Sequence, residues 1–141
     1  MKYEDVYKQW LNDPEEYWKN AAKDVDWIKF PEKTLNSTNA PIYSWFEDGL
    51  VNTCYNAVDR HVFEGREDSV AIIYDSPVTG IKRKISYGEL FTSVNKLASA
   101  LSSRGVKKGD RVIIYMPMIP EAIISMLAVT RIGAIHSVVF G

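Results

Sequence analysis

The charge-poor segment at 111–141 constrains the fold of this chain more than any other feature. Its only charged residues are Arg111, Glu121 and Arg131, and most of its other side chains are apolar. A membrane-spanning helix needs about 20 consecutive apolar residues, whereas prolines and charges divide this segment into shorter runs. The segment therefore predicts part of a buried protein core. Because the chain ends within it, we expect the front part of a longer protein.

Strand and helix signals alternate within this segment. Residues 111–116 read as a strand with no polar alternation, which is typical of a parallel strand buried on both faces. Pro120 favours the start of a helix, and Gly133 ends the predicted helix at 122–132. A second strand at 136–140 completes a strand–helix–strand unit with short links. The fold class is therefore α/β, and the segment predicts the start of an open sheet.

A hairpin and a long helix precede this unit. Residues 70–74 and 81–85 read as two strands around a turn rich in Ser, Pro and Gly. Ser86 and Glu89 form a capping box, in which each side chain accepts a hydrogen bond from the other residue's backbone amide. Apolar residues follow at helical spacing: Leu90, Val94, Leu97 and Leu101. We therefore predict a β-hairpin followed by a helix that ends at Gly105.

The N-terminal third is helical and aromatic. Apolar residues at 3–11 follow helical spacing, and Asp13 and Pro14 mark the start of a second helix. The stretch 24–41 is aromatic but has no period, which predicts an extended arm lying on another surface. All four tryptophans precede residue 46, and we assign them to packing rather than recognition. A further helix is expected at 53–63.

Composition excludes several classes of protein. The chain has 17 basic and 18 acidic residues, and 46% of its residues are hydrophobic, so it is not a disordered segment. A near-neutral charge disfavours nucleic-acid binding. Cys54 is the only cysteine, which rules out an internal disulfide and fits a reducing compartment. The N-terminus has mixed charge and no targeting pattern, so we expect a cytoplasmic protein without a membrane partner.

The sequence contains no complete catalytic constellation. Its glycines form neither a dinucleotide-binding fingerprint nor a P-loop, and two histidines with one cysteine give no metal-ligand cluster. Asp59, Arg60 and His61 resemble an acid–base set, but successive helical residues point about 100° apart, so the three side chains cannot converge. Packing or pairing is therefore assigned to these three residues, and Cys54 is assigned to packing as a small buried hydrophobe. His136 is assigned to packing rather than to a ligand contact. Lys82, Arg83 and Lys84 are assigned to a solvated hairpin rather than to phosphate binding.

Two long motifs match a known family. Residues 111–122 (RVIIYMPMIPEA) and 131–141 (RIGAIHSVVFG) resemble the front of short-chain acyl-CoA synthetases, the adenylate-forming acetyl- and propionyl-CoA synthetases. The tryptophan-rich arm also fits, so the resemblance covers essentially the whole chain. Residues 55–61 and 74–80 look more like propionyl-CoA synthetases than acetyl-CoA synthetases.

The resemblance implies both an architecture and a reaction. It implies an N-terminal extension at 1–64 and the start of the large AMP-binding (adenylation) domain at 65–141. In such a ligase a carboxylate attacks the α-phosphate of ATP with Mg²⁺, and CoA then takes the acyl group from the acyl-adenylate. The family's phosphate loop, metal-binding acid and catalytic lysine do not occur in this sequence. We therefore assign no catalytic or metal-binding residue and expect this chain alone to be inactive.

One site of the family reaches this chain. The segment matching Phe140 and Gly141 lies against the adenine of CoA in such enzymes, so the resemblance implies a cofactor-binding role for both residues. The alternative is that Phe140 is a core strand residue. The implied partners are the remainder of the adenylation domain, CoA and a small carboxylate. A non-enzymatic binding or regulatory α/β module remains an alternative function, with the sheet edge after Phe140 as its interaction surface.

Overall fold

A computed structural model describes residues 2–139 of the chain. The chain forms two compact units, which divide between Val51 and Asn52. Both units mix helices with strands, so the predicted α/β class, with an N-terminal helical part, is confirmed. Among the described residues, no helix is long and apolar enough to cross a membrane.

The first unit contains two helices and four short strands. Its elements are α1 (Tyr3–Asn12), α2 (Pro14–Ala21), a 3₁₀ turn (Ala22–Asp24), β1 (Trp27–Lys29), β2 (Leu35–Asn36), β3 (Ser44–Trp45) and β4 (Leu50–Val51). The predicted start of α2 is confirmed, because the Asp13 carboxylate accepts a hydrogen bond from the Glu16 amide at 3.0 Å and Pro14 is the first helical residue. β1 pairs with β4, and β2 pairs with β3, both antiparallel.

The prediction of an extended arm at 24–41 is wrong. This stretch folds back on residues 44–51 through the two small ladders. The aromatic rings pack on one another: Trp18 meets Trp45 edge to face at 6.2 Å, and Trp27 lies 5.7 Å from Phe46. Ladders of two or three residues are too short to produce a period in the sequence, so the arm appeared unstructured. The rings that seemed to need another surface partly cover each other.

The second unit carries the hairpin and the parallel strands. Its elements are a π-helical turn (Tyr55–Asp59), α3 (Arg60–Phe63), β5 (Val70–Asp75), β6 (Lys82–Ser86), α4 (Tyr87–Ser103), β7 (Arg111–Tyr115), α5 (Pro120–Ile132) and β8 (Ile135–Val139). β5 and β6 pair antiparallel, and β7 and β8 pair parallel, as predicted. Gly133 ends α5 in the left-handed conformation with φ of 79°.

The core of the second unit forms around α4. The predicted capping box is present: the Glu89 amide donates to Ser86 Oγ at 3.2 Å, and the Ser86 amide donates to Glu89 Oε2 at 2.9 Å. The apolar stripe of this helix packs against the 53–63 helical segment, β6 and α5. The buried cluster consists of Cys54, Val58, Ile85, Leu90, Val94, Ala98 and Ala128.

Within residues 2–139 only one face of β7 is covered, so burial of its other face stays a prediction. Ile114 is 3% exposed, whereas its neighbours Ile113 and Tyr115 are 72% and 70% exposed. Successive strand residues point to opposite faces, and the helices of this unit cover only the face that carries Ile114. The continuous apolar sequence of β7 indicates that both faces of the strand are hydrophobic. It does not indicate which of the two faces the helices of this unit cover.

Candidate functional site

The carboxyl edge of the β7–β8 pair is the candidate site. Ligands of open α/β sheets bind beside the carboxyl ends of parallel strands. Here Tyr115, the last residue of β7, pairs with Val139, the last residue of β8. The chain leaves β7 through Met116–Ile119 and enters α5 at Pro120. The edge therefore consists of two strand ends, one short loop and one helix N-terminus.

The backbone of this loop is tightly turned. The Ile119 amide donates to the Pro117 carbonyl at 2.8 Å, and the Ala122 amide donates to the Ile119 carbonyl at 3.0 Å. Pro120 has no N–H group, and Glu121 places a negative charge in the first turn of α5. This helix N-terminus would bind a phosphate weakly, because it offers few N–H donors and the negative charge of Glu121 repels an anion.

An apolar groove of about 410 Å³ adjoins this edge. It follows β7 as far as Met116, and α4 and α5 contribute Leu97, Leu101, Ser125 and Val129 to its wall. The Ser125 hydroxyl already donates to the Glu121 carbonyl at 2.7 Å. The edge and groove can therefore offer apolar contact to a flat or aliphatic group, but they present no acid–base pair for chemistry.

The two residues assigned from the resemblance, Phe140 and Gly141, lie outside the described residues. They directly follow Val139 in sequence, at the carboxyl end of β8. Their contact with the adenine of CoA therefore stays a prediction.

Asp59, Arg60 and His61 do not form an acid–base set. The Asp59 carboxylate accepts a hydrogen bond from Arg131 Nη2 at 2.5 Å. His61 instead lies with its ring 4.4 Å from the Tyr87 ring. The structural assignment of the Asp59–His61 segment is thus supported, because its side chains engage separate partners.

The network around Arg131 is the feature that the sequence analysis missed. Besides Asp59, the guanidinium donates to Asn95 Oδ1 at 2.5 Å and to Cys54 Sγ at 3.3 Å. It also lies over the Phe91 ring, 5.4 Å from the ring centroid. One side chain at the end of α5 therefore links the 53–63 helical segment to α4. The sequence feature that could have indicated this network is Arg131 itself, a single cation in an otherwise apolar stretch of helix.

Cys54 is fully buried beside this network. Burial raises the pKa of the Cys54 thiol above its ordinary value, although the hydrogen bond from Arg131 opposes the shift. The thiol is therefore protonated at neutral pH and is not an activated nucleophile. The assignment of Cys54 to packing is supported, with the addition that its sulfur accepts a hydrogen bond from a cation.

The remaining candidates also occupy structural positions. His136 is half-buried and lies opposite Val112 in the parallel ladder, on the face that carries Ile114. Lys82 pairs with Asp75 at 2.7 Å on the exposed hairpin. Residues 2–139 contain no group of three or more His, Cys, Asp or Glu side chains that could hold a metal ion.

Two family models match this chain, one in its N-terminal part and one in the remainder. Residues 3–57 match the family model described as the acetyl-coenzyme A synthetase N-terminus. Residues 59–141 match the model described as AMP-binding enzyme. The two models together cover nearly all of both units.

Curated relatives align along nearly the full length of this chain. The mitochondrial acyl-CoA synthetase short-chain family member 3 of Mus musculus is 54% identical over 140 residues, which cover 99% of this chain and 20% of the relative. The Homo sapiens protein of the same name is 50% identical over the same shares. An acetyl-coenzyme A synthetase of Xanthobacter autotrophicus is 49% identical over 142 residues, 99% of this chain and 22% of the relative.

The chain thus spans about a fifth of the length of these relatives. Its parallel β7–β8 pair and the helices packed on it fall within the segment matched by the larger family model. That model covers more than half of the chain. The chain belongs to the AMP-binding enzyme family.

Proposed function

We propose that this chain forms the N-terminal segment of an ATP-dependent acyl-CoA ligase. The enzyme activates a short-chain carboxylate as an acyl-adenylate and transfers the acyl group to CoA. The observation that carries the proposal is the 54% identity, over 99% of the chain, to a relative named as an acyl-CoA synthetase.

Propionate or acetate is the proposed acyl substrate, with propionate favoured by residues 55–61 and 74–80. The relatives bear both short-chain and acetyl names. The proposed cofactors of the enzyme are ATP, CoA and Mg²⁺. Some relatives are named as mitochondrial, so the cytoplasmic location remains a proposal that cell fractionation would test.

We propose that the sites for ATP and Mg²⁺ lie outside residues 2–139. A phosphate cradle requires backbone N–H groups that are free to donate. The Gly109 amide donates to the Gly133 carbonyl at 3.0 Å, and the Gly133 amide donates to the Thr130 carbonyl at 3.0 Å. These glycine amides serve turns within the fold, and residues 2–139 offer no metal-ligand cluster. No catalytic step is therefore assigned to this chain.

Its contribution to the enzyme is structural. The Arg131 network fixes α5 against α4 and the 53–63 helical segment, and α5 in turn connects the two parallel strands. Packing among α4, α5 and the 53–63 helical segment therefore fixes the ends of β7 and β8, which border the proposed CoA contact. Phe140 and Gly141 are proposed to place their ring and backbone against the adenine of CoA.

An exchange experiment tests the proposed function. We expect the chain alone to form no acyl-CoA above background with ATP, Mg²⁺, CoA and propionate. A chimera is then made from the Mus musculus relative by replacing its matching segment with this chain. We expect the chimera to form propionyl-CoA and a relative lacking the segment to form none.

Two outcomes would contradict the proposal. The first is acyl-CoA formation by the chain alone, and the second is a folded chimera that binds ATP but forms no acyl-CoA. A chain that is monodisperse and unfolds cooperatively by itself, together with an inactive chimera, would favour the alternative of a non-enzymatic binding module.

The division of the chain at residues 64 and 65 also remains a proposal. The two compact units divide at residues 51 and 52, and the two family models meet between residues 57 and 59. Limited proteolysis with mass analysis would locate the boundary. Cleavage concentrated at 64–69 would support the proposed division, and cleavage near residue 51 alone would argue against it.

A further inference from the structure

The turn that follows α3 is attached to His61. Residues 64–69, here called the 64–69 segment, connect α3 to β5. The Arg66 amide donates to the His61 carbonyl at 2.9 Å. Arg66 Nη2 also lies 2.5 Å from His61 Nδ1, close enough to donate a hydrogen bond to it. The Arg66 guanidinium pairs with the Glu64 carboxylate as well.

The same segment is joined to α4 at its other end. The Tyr87 amide donates to the Ser69 carbonyl at 3.0 Å, and the Gly88 amide donates to the Glu67 carbonyl at 2.9 Å. A Cβ at Gly88 would lie 3.3 Å from the Glu67 carbonyl oxygen, which is tighter than an ordinary contact, so the close approach favours glycine. The His61 ring also packs on the Tyr87 ring. His61 therefore lies beside both the attachment of the 64–69 segment to α3 and its attachment to α4.

The contact between Arg66 and His61 exists in only one protonation state. A guanidinium has donors and no acceptor, so Nδ1 must carry the lone pair and the imidazole must be neutral. A protonated imidazole would place a second cation against Arg66, with Arg60 on the same helix nearby. The His61 ring packs against Tyr87 of α4, which carries no negative charge that could stabilise an imidazolium. Glu64 supplies the one carboxylate that acts on the ring.

We propose that His61 is an acid-sensitive attachment point, which loosens the 64–69 segment when its imidazole takes up a proton. In the neutral form Nδ1 accepts from Arg66 and the segment lies against α3 and α4. In the protonated form that hydrogen bond is lost and the two cations repel. Arg66 then keeps its pair with the Glu64 carboxylate.

The direction of the pH response follows from the surroundings of the ring. Burial, followed by the charges of Arg66 and Arg60, lowers the pKa of His61 below its ordinary value of 6.5. A base whose pKa is lowered by folding stabilises the folded state fully above its unfolded pKa. That contribution is lost as the pH falls through the lowered value. The segment is therefore attached at neutral pH and loosened as the pH falls below the lowered pKa of His61.

Amide hydrogen exchange of the protein tests the proposal, at pH 7.5 and at a pH below the His61 midpoint that nuclear magnetic resonance measures. Protection of each peptide is expressed against the unfolded-chain rate at the same pH. We expect protection of the 64–69 segment to fall about fivefold at the lower pH, the effect of one lost hydrogen bond. Peptides from β7 and α5 serve as the internal reference and should change little.

Two variants separate this mechanism from general acid sensitivity. His61→Asn keeps an acceptor at the position of Nδ1 but does not titrate, so its protection should stay at the neutral-pH level in both conditions. Arg66→Gln removes the charge, so the segment should be less protected at both pH values and show no acid step. An acid step of wild-type size in either variant, or no step in wild type, would overturn the proposal.

A second measurement covers the case in which a variant does not fold. The ring protons of His61 in the wild-type protein report its titration directly by nuclear magnetic resonance. A midpoint below 6.5 supports the proposal, and a midpoint at or above 6.5 overturns it.

Discussion

Arg131 shows how a single residue can link three helical segments. Its guanidinium meets Asp59 and Asn95 by hydrogen bonds of 2.5 Å each, and the Asp59 and Arg131 side chains are only 11% and 20% exposed. Removing one member of a buried ion pair leaves the other charge without compensation, which is more costly than losing an exposed pair. Position in the fold therefore decides what this pair contributes.

Arg131→Met is predicted to lower the free energy of unfolding by about 3 kcal/mol, because it leaves the Asp59 carboxylate buried without a compensating charge. The matched control is Lys82→Met, which breaks the Lys82–Asp75 pair on the exposed hairpin. The control should cost less than about 1 kcal/mol. Equilibrium urea denaturation measures both changes. Equal losses in the two variants would show that the Arg131 network has no special role.

At the scale of the element, α4 illustrates agreement between local signals and packing. The capping box at Ser86 and Glu89 satisfies two donors at the helix start, and Leu90, Val94 and Ala98 are buried on one face. Gly105, with φ of 92°, follows the helix in a conformation that glycine adopts without strain. Start, stop and apolar spacing all specify one helix, so its sequence-based prediction was accurate.

Ser86→Ala is predicted to destabilise the protein by about 1 kcal/mol, because the Glu89 amide loses its acceptor at the first turn. Ser99→Ala is the control within the same helix, at an exposed position beyond the cap. It should be neutral or slightly stabilising, since alanine is the better helix former. Thermal unfolding of the two variants checks the difference. A loss at Ser99 as large as that at Ser86 would argue against the capping role.

At the scale of the whole molecule, the parallel pair has one covered and one uncovered face within residues 2–139. Val112, Ile114, His136 and Val138 share the covered face, and Ile114 is almost fully buried. Ile113, Tyr115, Ile135 and Val139 lie on the other face, each at least 45% exposed. The same apolar strand therefore contributes very differently at adjacent positions.

Adjacent substitutions in β7 test this difference. Ile114→Thr should lower the stability of this chain by about 2 kcal/mol, because a hydroxyl enters the core and apolar contact is lost. Ile113→Thr should change it by less than about 0.5 kcal/mol, because an exposed strand accepts threonine well. Urea denaturation of both variants decides the matter. A loss of stability larger than this for Ile113→Thr would show that other residues of this chain cover the face of β7 that carries Ile113.

The sequence by itself determined the locally encoded parts of this protein. The caps of α2 and α4, the hairpin of β5 and β6, and the strand–helix–strand unit depend on residues close together in the chain, so composition and spacing were sufficient. The resemblance carried by 111–122 and 131–141 likewise led to the family. The assignment of Phe140 and Gly141 comes from that resemblance alone.

The tertiary structure decided the features that join distant residues. The two small ladders of the first unit are too short to leave a period, so their pairing appears only in three dimensions. Arg131 finds Asp59 across 72 positions of sequence, and no local pattern encodes that contact. Which face of β7 is covered also depends on where α4 and α5 pack. Periodicity reports hydrophobicity along one element, whereas pairing and burial depend on which elements fold against it.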